Sequence, residues 1–368
     1  MTLLRLENVW KRYGRVEAVK NVSLKCEEGE FLAFVGPSGC GKTSTLRMIA
    51  GLEIITSGSI YIKDRLVNNL KPGERNIAMA FENYALYPTL SVYENIAFPL
   101  RAQKMASNKI KENIFAIADL LRIEDILTSK PKELSGGQQQ RISLARALVK
   151  NADLYLMDEP ISHLDADMRR RMRAELKRLH QTTGMTVVYV THDQLEAMSM
   201  ADRIAVMNDG IIRQLGTPSE IFDHPQDEFV AGFIGSPPMN FFDCLLRTQA
   251  GRFAIEVGTC SFFISDEIGN KLQKSINLQN GRLRLGIRPE DIDLAPAPAD
   301  GAMSGKILII EPVGESIIYR IAISDKFDLL AEVPADSAVS VEEGRIHVSF
   351  TPEKMHFFHP ETGNALYT

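Results

Sequence analysis

Short apolar runs alternate with helical patterns over more than half of the chain, counted from its start. Three of these runs have the length and composition of buried strands, namely Phe31–Val35, residues 154–157 and residues 186–190. A further strand is predicted at residues 203–207, whereas residues 91–128 show helical spacing. Strands that alternate with helices in this way predict an α/β fold with a mostly parallel sheet covered on both faces.

The pattern changes near residue 236, where Ser236-Pro237-Pro238 interrupts the chain. Short segments of alternating apolar and polar residues follow, and turn residues separate them. The predicted strands are residues 253–257, 260–264, 283–287, 306–310, 319–323, 329–333 and 345–350. Many short strands at this spacing predict a small all-β sandwich or barrel. We therefore expect a first domain of residues 1–236 and a second of residues 237–368.

Composition and charge narrow the classes of function. The chain of 368 residues has 45% hydrophobic and 24% charged residues, which is ordinary for a globular protein. The net charge is −5, whereas nucleic-acid-binding proteins usually carry an excess of basic residues, so we expect no nucleic acid partner. No run of about 18 apolar residues occurs, and the first residues lack a signal peptide's apolar core. The cysteines show no metal-type spacing.

A glycine-rich turn follows the first predicted strand directly. After the turn, Leu46, Ile49 and Ala50 recur at helical spacing. A strand, a glycine-rich turn and a helix start form the context of a phosphate-binding loop, whose backbone amides and helix N-terminus attract an anion. The predicted nucleotide-binding residues are Gly36, Pro37, Ser38, Gly39, Cys40, Gly41, Lys42, Thr43 and Ser44.

Two side chains of this loop have predicted chemical roles. Lys42 would reach the β and γ phosphates, and the Thr43 hydroxyl would ligate Mg²⁺. The alternative is a chance glycine turn, which average composition produces in roughly one chain in a hundred of this length. The strand–loop–helix context makes that alternative rarer still, so the sequence predicts binding of a nucleoside triphosphate. Cys40 lies in the same loop, and we hypothesise that oxidation or alkylation of its thiol blocks the site.

Asp158-Glu159-Pro160 ends the apolar run at residues 154–157. Two carboxylates at the end of a buried strand are costly unless a cation balances them. In a phosphate-loop protein that cation is Mg²⁺, for which Asp158 and Thr43 are the predicted ligands. Glu159 is predicted to accept a proton from the attacking water. An ordinary exposed Asp-Glu turn is the alternative.

Other features carry weaker signals. Residues 135–138 precede a periodic helix and form either a second anion-binding helix start or an ordinary helix cap. His192 follows the run at residues 186–190, and the carboxyl end of such a strand faces the ligand crevice of an α/β sheet. Tyr13, taken alone, is predicted to be a packing residue. Residues 83–88 are apolar and aromatic, as in a buried loop or a docking surface.

Together these motifs resemble the ATPases of ABC transporters. The motifs are the phosphate loop, residues 134–141, residues 156–160, Leu164-Asp165 and His192. Further segments resemble the carbohydrate-importer subgroup, related to the maltose transporter's ATPase, at residues 83–88, 233–241 and 285–291. The resemblance covers nearly the whole chain. It implies a phosphate-loop ABC ATPase domain with a helical subdomain at about residues 84–151, followed by an OB-like, all-β barrel as a C-terminal regulatory domain.

The resemblance also implies a role for each matching residue. Tyr13 would stack on adenine, which replaces the packing prediction. The implied catalytic residues are Lys42, Glu82, Glu159 as general base and His192 as a contact of the γ phosphate. The implied Mg²⁺ ligands are Thr43, Glu82 and Asp158. The residues implied to contact ATP held by the other subunit are Ser135, Gly136, Gly137 and Gln138.

The implied assembly is a dimer, a homodimer or a heterodimer with a paralogue, that sandwiches two ATP molecules. Two membrane permease subunits would dock in a groove near residues 82–88, and an extracytoplasmic solute-binding protein would act indirectly. The chain would lie peripherally on the cytoplasmic face of the inner membrane and drive uptake of a sugar, polyol or glycerol derivative. Polyamine or metal-ion import and a soluble non-transport ABC ATPase are the alternatives.

Two residues depart from the family pattern. Glu82 stands where glutamine is usual, so it keeps a metal-binding oxygen but adds negative charge near Asp158 and Glu159. At an effective dielectric near 20, like charges about 6 Å apart repel by roughly 3 kcal/mol unless Mg²⁺ screens them. His163 stands where asparagine is commoner, in a loop that would face the other subunit. Both departures would suit a heterodimer of unlike subunits, although a homodimer could tolerate them.

Overall fold

The computed structural model describes residues 1–258, 260–275, 281–297, 302–324, 327–337 and 344–366. The chain forms two compact units, Met1–Pro218 and Ser219–Thr368. Each unit has an apolar core of its own. The domain boundary at residue 236 stays a prediction.

The first unit alternates strands and helices. Its strands are β1 (Thr2–Tyr13), β2 (Val16–Glu27), β3 (Phe31–Val35), β4 (Ser57–Ile62), β5 (Arg65–Leu66), β6 (Ile77–Ala80), β7 (Leu154–Asp158), β8 (Val187–Thr191), β9 (Arg203–Asn208) and β10 (Ile211–Gly216). Its helices are α1 (Lys42–Ala50), α2 (Val92–Ala102), α3 (Ser107–Leu121), α4 (Gly136–Leu148), α5 (Ala166–Thr183) and α6 (Gln194–Met200).

The central sheet of this unit is mostly parallel, as the sequence predicts. Its strands lie in the order β10-β9-β3-β8-β7-β6, and only the β9–β10 pair among them is antiparallel in the described part of the chain. Strands β3, β7 and β8 are buried along their whole length, and on one face their side chains share an apolar core with α1 and with strands β1, β2 and β4. A second, antiparallel sheet has the order β2-β1-β4-β5.

The predicted site residues lie at the carboxyl edge of the parallel strands. Val35 at the end of β3 lies beside Thr191 at the end of β8. Asp158 at the end of β7 lies beside Val190. The phosphate loop, the two carboxylates and His192 therefore leave the sheet at one edge.

Helices α2, α3 and α4 pack against one another and form the helical part of the unit. Ser91 caps α2, since its hydroxyl accepts a hydrogen bond of 3.2 Å from the Glu94 amide. The apolar residues of α3 are buried at helical spacing, namely Ile110, Ile114, Ile117 and Leu121. Helix α4 also contacts β6, which places residues 135–138 relative to the sheet.

The second unit is built mainly of antiparallel strands. Its elements are α7 (Pro218–Asp223), α8 (Glu228–Phe233), β11 (Asn240–Gln249), β12 (Arg252–Val257), β13 (Cys260–Phe263), α9 (Asp266–Ser275), β14 (Arg282–Ile287), β15 (Ile292–Ala295), β16 (Met303–Pro312), β17 (Ser316–Ser324), β18 (Phe327–Pro334), β19 (Arg345–Phe350) and β20 (His356–Phe358). Two sheets, in the orders β13-β12-β11-β14-β20 and β15-β19-β16-β17-β18, share one apolar core. Each strand predicted in this region is present, whereas α9, β11, β15 and β20 were not predicted.

Among the described residues, no helix has the length and apolar character needed to cross a membrane.

Candidate functional site

The turn between β3 and α1 has the backbone geometry of an anion cradle. Gly39 and Gly41 have φ angles of 81° and 107°, a region that residues with a Cβ rarely adopt. A Cβ on Gly41 would lie 2.5 Å from the carbonyl oxygen of Ala18, so no larger residue fits there. The Thr45 amide donates to the Gly41 carbonyl at 2.9 Å, and the amides of the first helical turn point toward the loop. The positive end of α1 therefore faces the cradle.

Lys42 lies folded over this loop and is 6% exposed. Its ammonium group donates hydrogen bonds to the carbonyl oxygens of Gly36 at 2.7 Å and Pro37 at 2.9 Å. The sulfur of Cys40 lies 3.8 Å from the same ammonium group. Burial raises the pKa of the Cys40 thiol, although the charge of Lys42 opposes that rise. The loop thus holds a positive charge beside its amides and keeps the thiol protonated.

Asp158 is 2% exposed at the end of β7. The Thr43 hydroxyl donates a hydrogen bond of 3.0 Å to Asp158 Oδ1, which joins α1 to β7 at the carboxyl edge. Burial raises the pKa of the Asp158 carboxyl to about 6, and the charges of Glu82 and Glu159 add to that rise. The Thr43 hydrogen bond and the charge of Arg47 act in the opposite direction. The ionised carboxylate is therefore only partly compensated by its neighbours.

These oxygen donors fit Mg²⁺, which proteins usually hold through one or two carboxylates together with phosphate oxygens and water. Thr43 and Asp158 supply a hydroxyl and a carboxylate side by side. Glu82 lines the same cleft of about 360 Å³ as Asp158 and Arg47. Within the described ranges, no three His, Cys, Asp or Glu side chains form a metal cage by themselves. A bound phosphate would complete the coordination.

Glu159 has a φ angle of 47°, which is uncommon for a residue other than glycine. Two hydrogen bonds hold its backbone there: its amide donates to Val190 O at 2.9 Å, and its carbonyl accepts from Gln140 Nε2 at 2.8 Å. Its carboxylate oxygen Oε1 lies 2.9 Å from His192 Nδ1. The side chains of Glu159 and His192 are 19% and 57% exposed, so the pair opens to the solvent side of the edge.

Residues 135–138 begin α4 and form a capping box. The Ser135 hydroxyl accepts from the Gln138 amide at 3.3 Å, and the Gln138 side chain accepts from the Ser135 amide at 2.9 Å. A Cβ on Gly136 would lie 3.3 Å from the Tyr84 hydroxyl, and one on Gly137 would lie 3.2 Å from Leu164. No described contact joins this turn to the phosphate loop, so the turn caps its helix and borders Tyr84 and Leu164 instead.

The segment at residues 82–88 is anchored to α4. Tyr84 and Ala85 have left-handed φ angles of 61° and 45°, and Arg146 donates hydrogen bonds of 3.0 Å and 2.7 Å to their carbonyl oxygens. Farther along, the rings of Tyr87 and Phe98 pack together with centroids 4.7 Å apart. These two rings are 40% and 47% exposed. Of the two predicted alternatives, this exposure favours a docking surface.

Three family models match the chain. The model described as ABC transporter matches residues 19–162. The model described as MalK OB fold domain matches residues 235–292, and the TOBE domain model matches residues 285–358. These matches confirm the predicted fold class, an ATPase domain followed by an OB-like domain.

Curated relatives align over the full length. The trehalose/maltose import ATP-binding protein MalK of Thermococcus litoralis is 43% identical, covering 100% of both chains. The oligosaccharides import ATP-binding protein MsmX of Bacillus subtilis is 44% identical, covering 98% of this chain and 99% of its own. This chain belongs to the ATP-binding protein family of ABC importers. Accordingly it is an ATP-binding ABC ATPase, as the sequence predicts.

Two further comparisons agree with this ABC ATPase assignment. The sn-glycerol-3-phosphate import ATP-binding protein UgpC of Cupriavidus necator is 43% identical, covering 100% of both chains. A solved ATP-binding cassette, a post-hydrolysis dimer bound to ADP and Pi, matches with a TM-score of 0.55 and 33% identity. It covers 59% of this chain and 99% of its own.

Within this ABC ATPase, the structure pairs Thr43 with Asp158 and Glu159 with His192. The catalytic roles of these residues stay predictions. Tyr13 is 43% exposed, which does not fit the packing role predicted from the residues alone. The ammonium group of Lys11 lies 4.5 Å from the centroid of the Tyr13 ring.

Sequence reasoning missed Gln140, which lies on α4 and is 1% exposed. Its amide nitrogen donates to the Glu159 carbonyl, and its amide oxygen accepts from the His163 amide at 3.0 Å. Gln140 therefore ties the helix of residues 135–138 to the backbone of the predicted general base. Its four-residue spacing from the buried Leu144 is the signal that could have found it.

A larger cavity of about 640 Å³ lies elsewhere and contains none of the predicted site residues. Its lining includes Asp153 and Thr186, which precede β7 and β8. It therefore opens at the amino edge of the sheet, whereas ligands of open α/β sheets bind at the carboxyl edge.

Proposed function

We propose that this ABC ATPase drives uptake of a sugar, polyol or glycerol derivative through two membrane permease subunits. The observation that carries this proposal is full-length similarity to import ATP-binding proteins named for trehalose and maltose, oligosaccharides and sn-glycerol 3-phosphate. These names share a polyhydroxylated solute. An extracytoplasmic solute-binding protein would deliver that solute, and the ATPase would act peripherally on the cytoplasmic face of the inner membrane.

The phosphate loop binds the triphosphate of ATP in this proposal. Loop amides and the N-terminus of α1 point at the phosphates, and Lys42 exchanges its hydrogen bonds to Gly36 and Pro37 for bonds to phosphate oxygens. Ser38 and Gly39 are exposed at the loop tip, where they can close over the anion. Tyr13 offers an exposed ring on which adenine stacks.

Thr43 and Asp158 would hold Mg²⁺, and Glu82 lies in the same cleft. The metal would supply positive charge that offsets the negative charge developing during phosphoryl transfer. Burial, together with the charges of Glu82 and Glu159, raises the pKa of Asp158, and a bound cation would favour the ionised carboxylate again.

Glu159 acts as the general base toward the attacking water. Backbone hydrogen bonds to Val190 and Gln140 hold Glu159 in place, and a preorganised catalytic group lowers the cost of reaching the transition state. His192 lies 2.9 Å from the carboxylate and contacts the γ phosphate with its exposed edge.

Each ATP is completed by residues 135–138 of a second subunit. Two features support this: the helix start at Ser135 is exposed, and it borders Tyr84 and Leu164 instead of its own phosphate loop. The dimeric state of the similar solved cassette agrees with the arrangement. ATP then acts as a bridge between subunits, and hydrolysis lets them separate.

Mixing two inactive variants tests the composite site. Lys42→Ala removes phosphate binding, and Gly137→Asp places a negative charge where the second subunit's phosphate would lie. Mixed dimers then contain one site with neither change, so ATP hydrolysis should exceed that of either variant alone. If the mixture is no more active than its components, each site is formed by one chain and the proposal fails.

The solute class is tested by deleting the gene in its native source. Growth on maltose, trehalose, polyols and sn-glycerol 3-phosphate as single carbon sources would be compared with growth of the complemented strain. Loss of growth on one of these solutes, restored by the wild-type gene and not by Lys42→Ala, supports the proposal. Loss on polyamines alone would contradict it. The mass of the ATP-bound Glu159→Gln complex from that source distinguishes a homodimer from a heterodimer.

A further inference from the structure

Glu196 is a buried carboxylate outside the predicted site. It lies on α6 and is 2% exposed. Its oxygen Oε2 accepts a hydrogen bond of 2.9 Å from the Tyr189 hydroxyl and one of 2.8 Å from the Thr191 hydroxyl. A buried carboxylate costs several kcal/mol unless such donors satisfy it. The two donors come from β8, so Glu196 ties α6 to the end of that strand.

The Thr191 hydroxyl connects Glu196 to the backbone on the far side of His192. It donates to Glu196 and at the same time accepts a hydrogen bond of 2.9 Å from the Asp193 amide. A hydroxyl has a single proton, so its donation to Glu196 leaves a lone pair directed at the Asp193 amide. The backbone on both sides of His192 is thus held by one hydroxyl whose orientation Glu196 sets.

Asp193 closes the same turn from its other end. Its carboxylate oxygen Oδ1 accepts from the amides of Leu195 at 2.8 Å and Glu196 at 3.2 Å. Arg169 lies 3.6 Å from its other oxygen. His192 is the residue that projects from this closed turn toward Glu159.

The network is anchored in the core of the sheet. Tyr189 is fully buried, and its ring packs on Phe31 of β3 with centroids 5.5 Å apart. The turn that carries His192 is therefore fastened to the central strands of the sheet.

We propose that Glu196 is a positioning residue for ATP hydrolysis: through Thr191 it fixes the turn that holds His192 at hydrogen-bond distance from Glu159. This inference rests on the role given to His192 under the proposed function. A displacement of about 1 Å of a catalytic group can cost on the order of 100-fold in rate. The Thr191 hydroxyl thus affects turnover without touching ATP.

The test compares Thr191→Val with a matched control, Thr186→Val, in the full chain. Thr186 is 3% exposed just before β8, and its hydroxyl accepts a hydrogen bond of 2.9 Å from the Gly29 amide. Both variants lose a buried hydroxyl that accepts a backbone amide, at opposite ends of one strand. Thr191→Val should lower kcat by about tenfold or more with little change in KM for ATP, whereas Thr186→Val should keep kcat.

Conservative replacement and a double variant sharpen the test. Glu196→Gln keeps an oxygen that can accept hydrogen bonds from both hydroxyls, so its kcat should stay close to that of the wild type. Glu196→Ala removes this acceptor, so its kcat should fall. If Thr191 acts through His192, the double variant Thr191→Val/His192→Ala should be no slower than His192→Ala in single-turnover hydrolysis.

Two results would overturn the inference in different ways. If His192→Ala is inactive but Thr191→Val has the same kcat as Thr186→Val, the positioning role alone is refuted. A fully active His192→Ala would refute both that role and the function assigned to His192.

Discussion

His192 Nδ1 lies 2.9 Å from Glu159 Oε1, although 33 positions separate the two residues. The contact forms because β7 and β8 are parallel neighbours, with Asp158 beside Val190, and both strands end at the same edge. The left-handed backbone of Glu159 then turns its side chain toward the histidine. Strand order thereby holds a carboxylate and an imidazole together.

We expect Glu159→Gln to bind ATP but to hydrolyse it at least about 100-fold more slowly, because an amide cannot accept the proton of the attacking water. Hydrolysis and ATP-dependent dimer formation would be measured on the purified chain. Glu175→Gln is a suitable control, since Glu175 is a partly exposed α5 carboxylate paired with Arg178. Near-normal turnover of Glu159→Gln would show that another group accepts the proton.

We expect Glu82→Ala to uncouple hydrolysis from transport. Glu82 lies in the cleft that also contains Asp158 and Tyr84, at the start of the segment predicted to meet the permeases. Glu82→Gln, which keeps an oxygen ligand and removes the charge, is the matched control and should remain coupled. The measurement is transport-stimulated ATPase activity in reconstituted membranes. Unchanged stimulation in Glu82→Ala would rule out a coupling role.

We expect Cys40 to react slowly with maleimide at neutral pH. Its side chain is 4% exposed, and burial raises the pKa of the thiol, so little reactive thiolate is present. Mass spectrometry of time-resolved labelling should show the partly exposed Cys260 modified first. Once Cys40 is modified, ATP binding should be lost, because its sulfur lies 3.8 Å from the Lys42 ammonium group. Modification with full ATP binding would contradict the hypothesis that this thiol can block the site.

We expect His356 to make the protein less stable as pH falls from 6.5 toward 4. Burial and the charges of Arg288, His224 and Lys354 lower the pKa of His356 to about 4, and Asp223 only partly opposes them. The unfolded chain takes up a proton near its ordinary pKa while the folded chain does not, so protonation favours unfolding by at most about 3 kcal/mol. Above pH 6.5 the imidazole is neutral in both states and this effect vanishes.

The test of this pH dependence is thermal unfolding of the wild type and His356→Gln between pH 4 and 7.5. The Tm of the variant should fall less than the Tm of the wild type as the pH is lowered. His347→Gln, which changes a histidine on β19 of the same unit, is the control. Parallel Tm curves for wild type and His356→Gln would contradict the assigned pKa.

Part of the fold was predictable because its signals are local. Burial on both faces makes β3, β7 and β8 continuous apolar runs, and alternation marks β12 to β14 and β16 to β19. The helix α9 was missed, since its polar residues give no long apolar stripe. The short β15 and β20 were missed because each is only a few residues long.

The sequence by itself determined the chemistry of this protein. The order of a strand, three glycines, Lys42 and Thr43 predicts a phosphate cradle, since those residues combine left-handed backbone, a cation and a hydroxyl at that spacing. Tertiary structure alone decided which distant groups meet. The Thr43–Asp158 and Glu159–His192 contacts depend on strand order, and the networks of Gln140 and Glu196 depend on which polar side chains turn inward. Such burial follows from packing, because a buried amide or carboxylate is stable only where partners from other elements satisfy it.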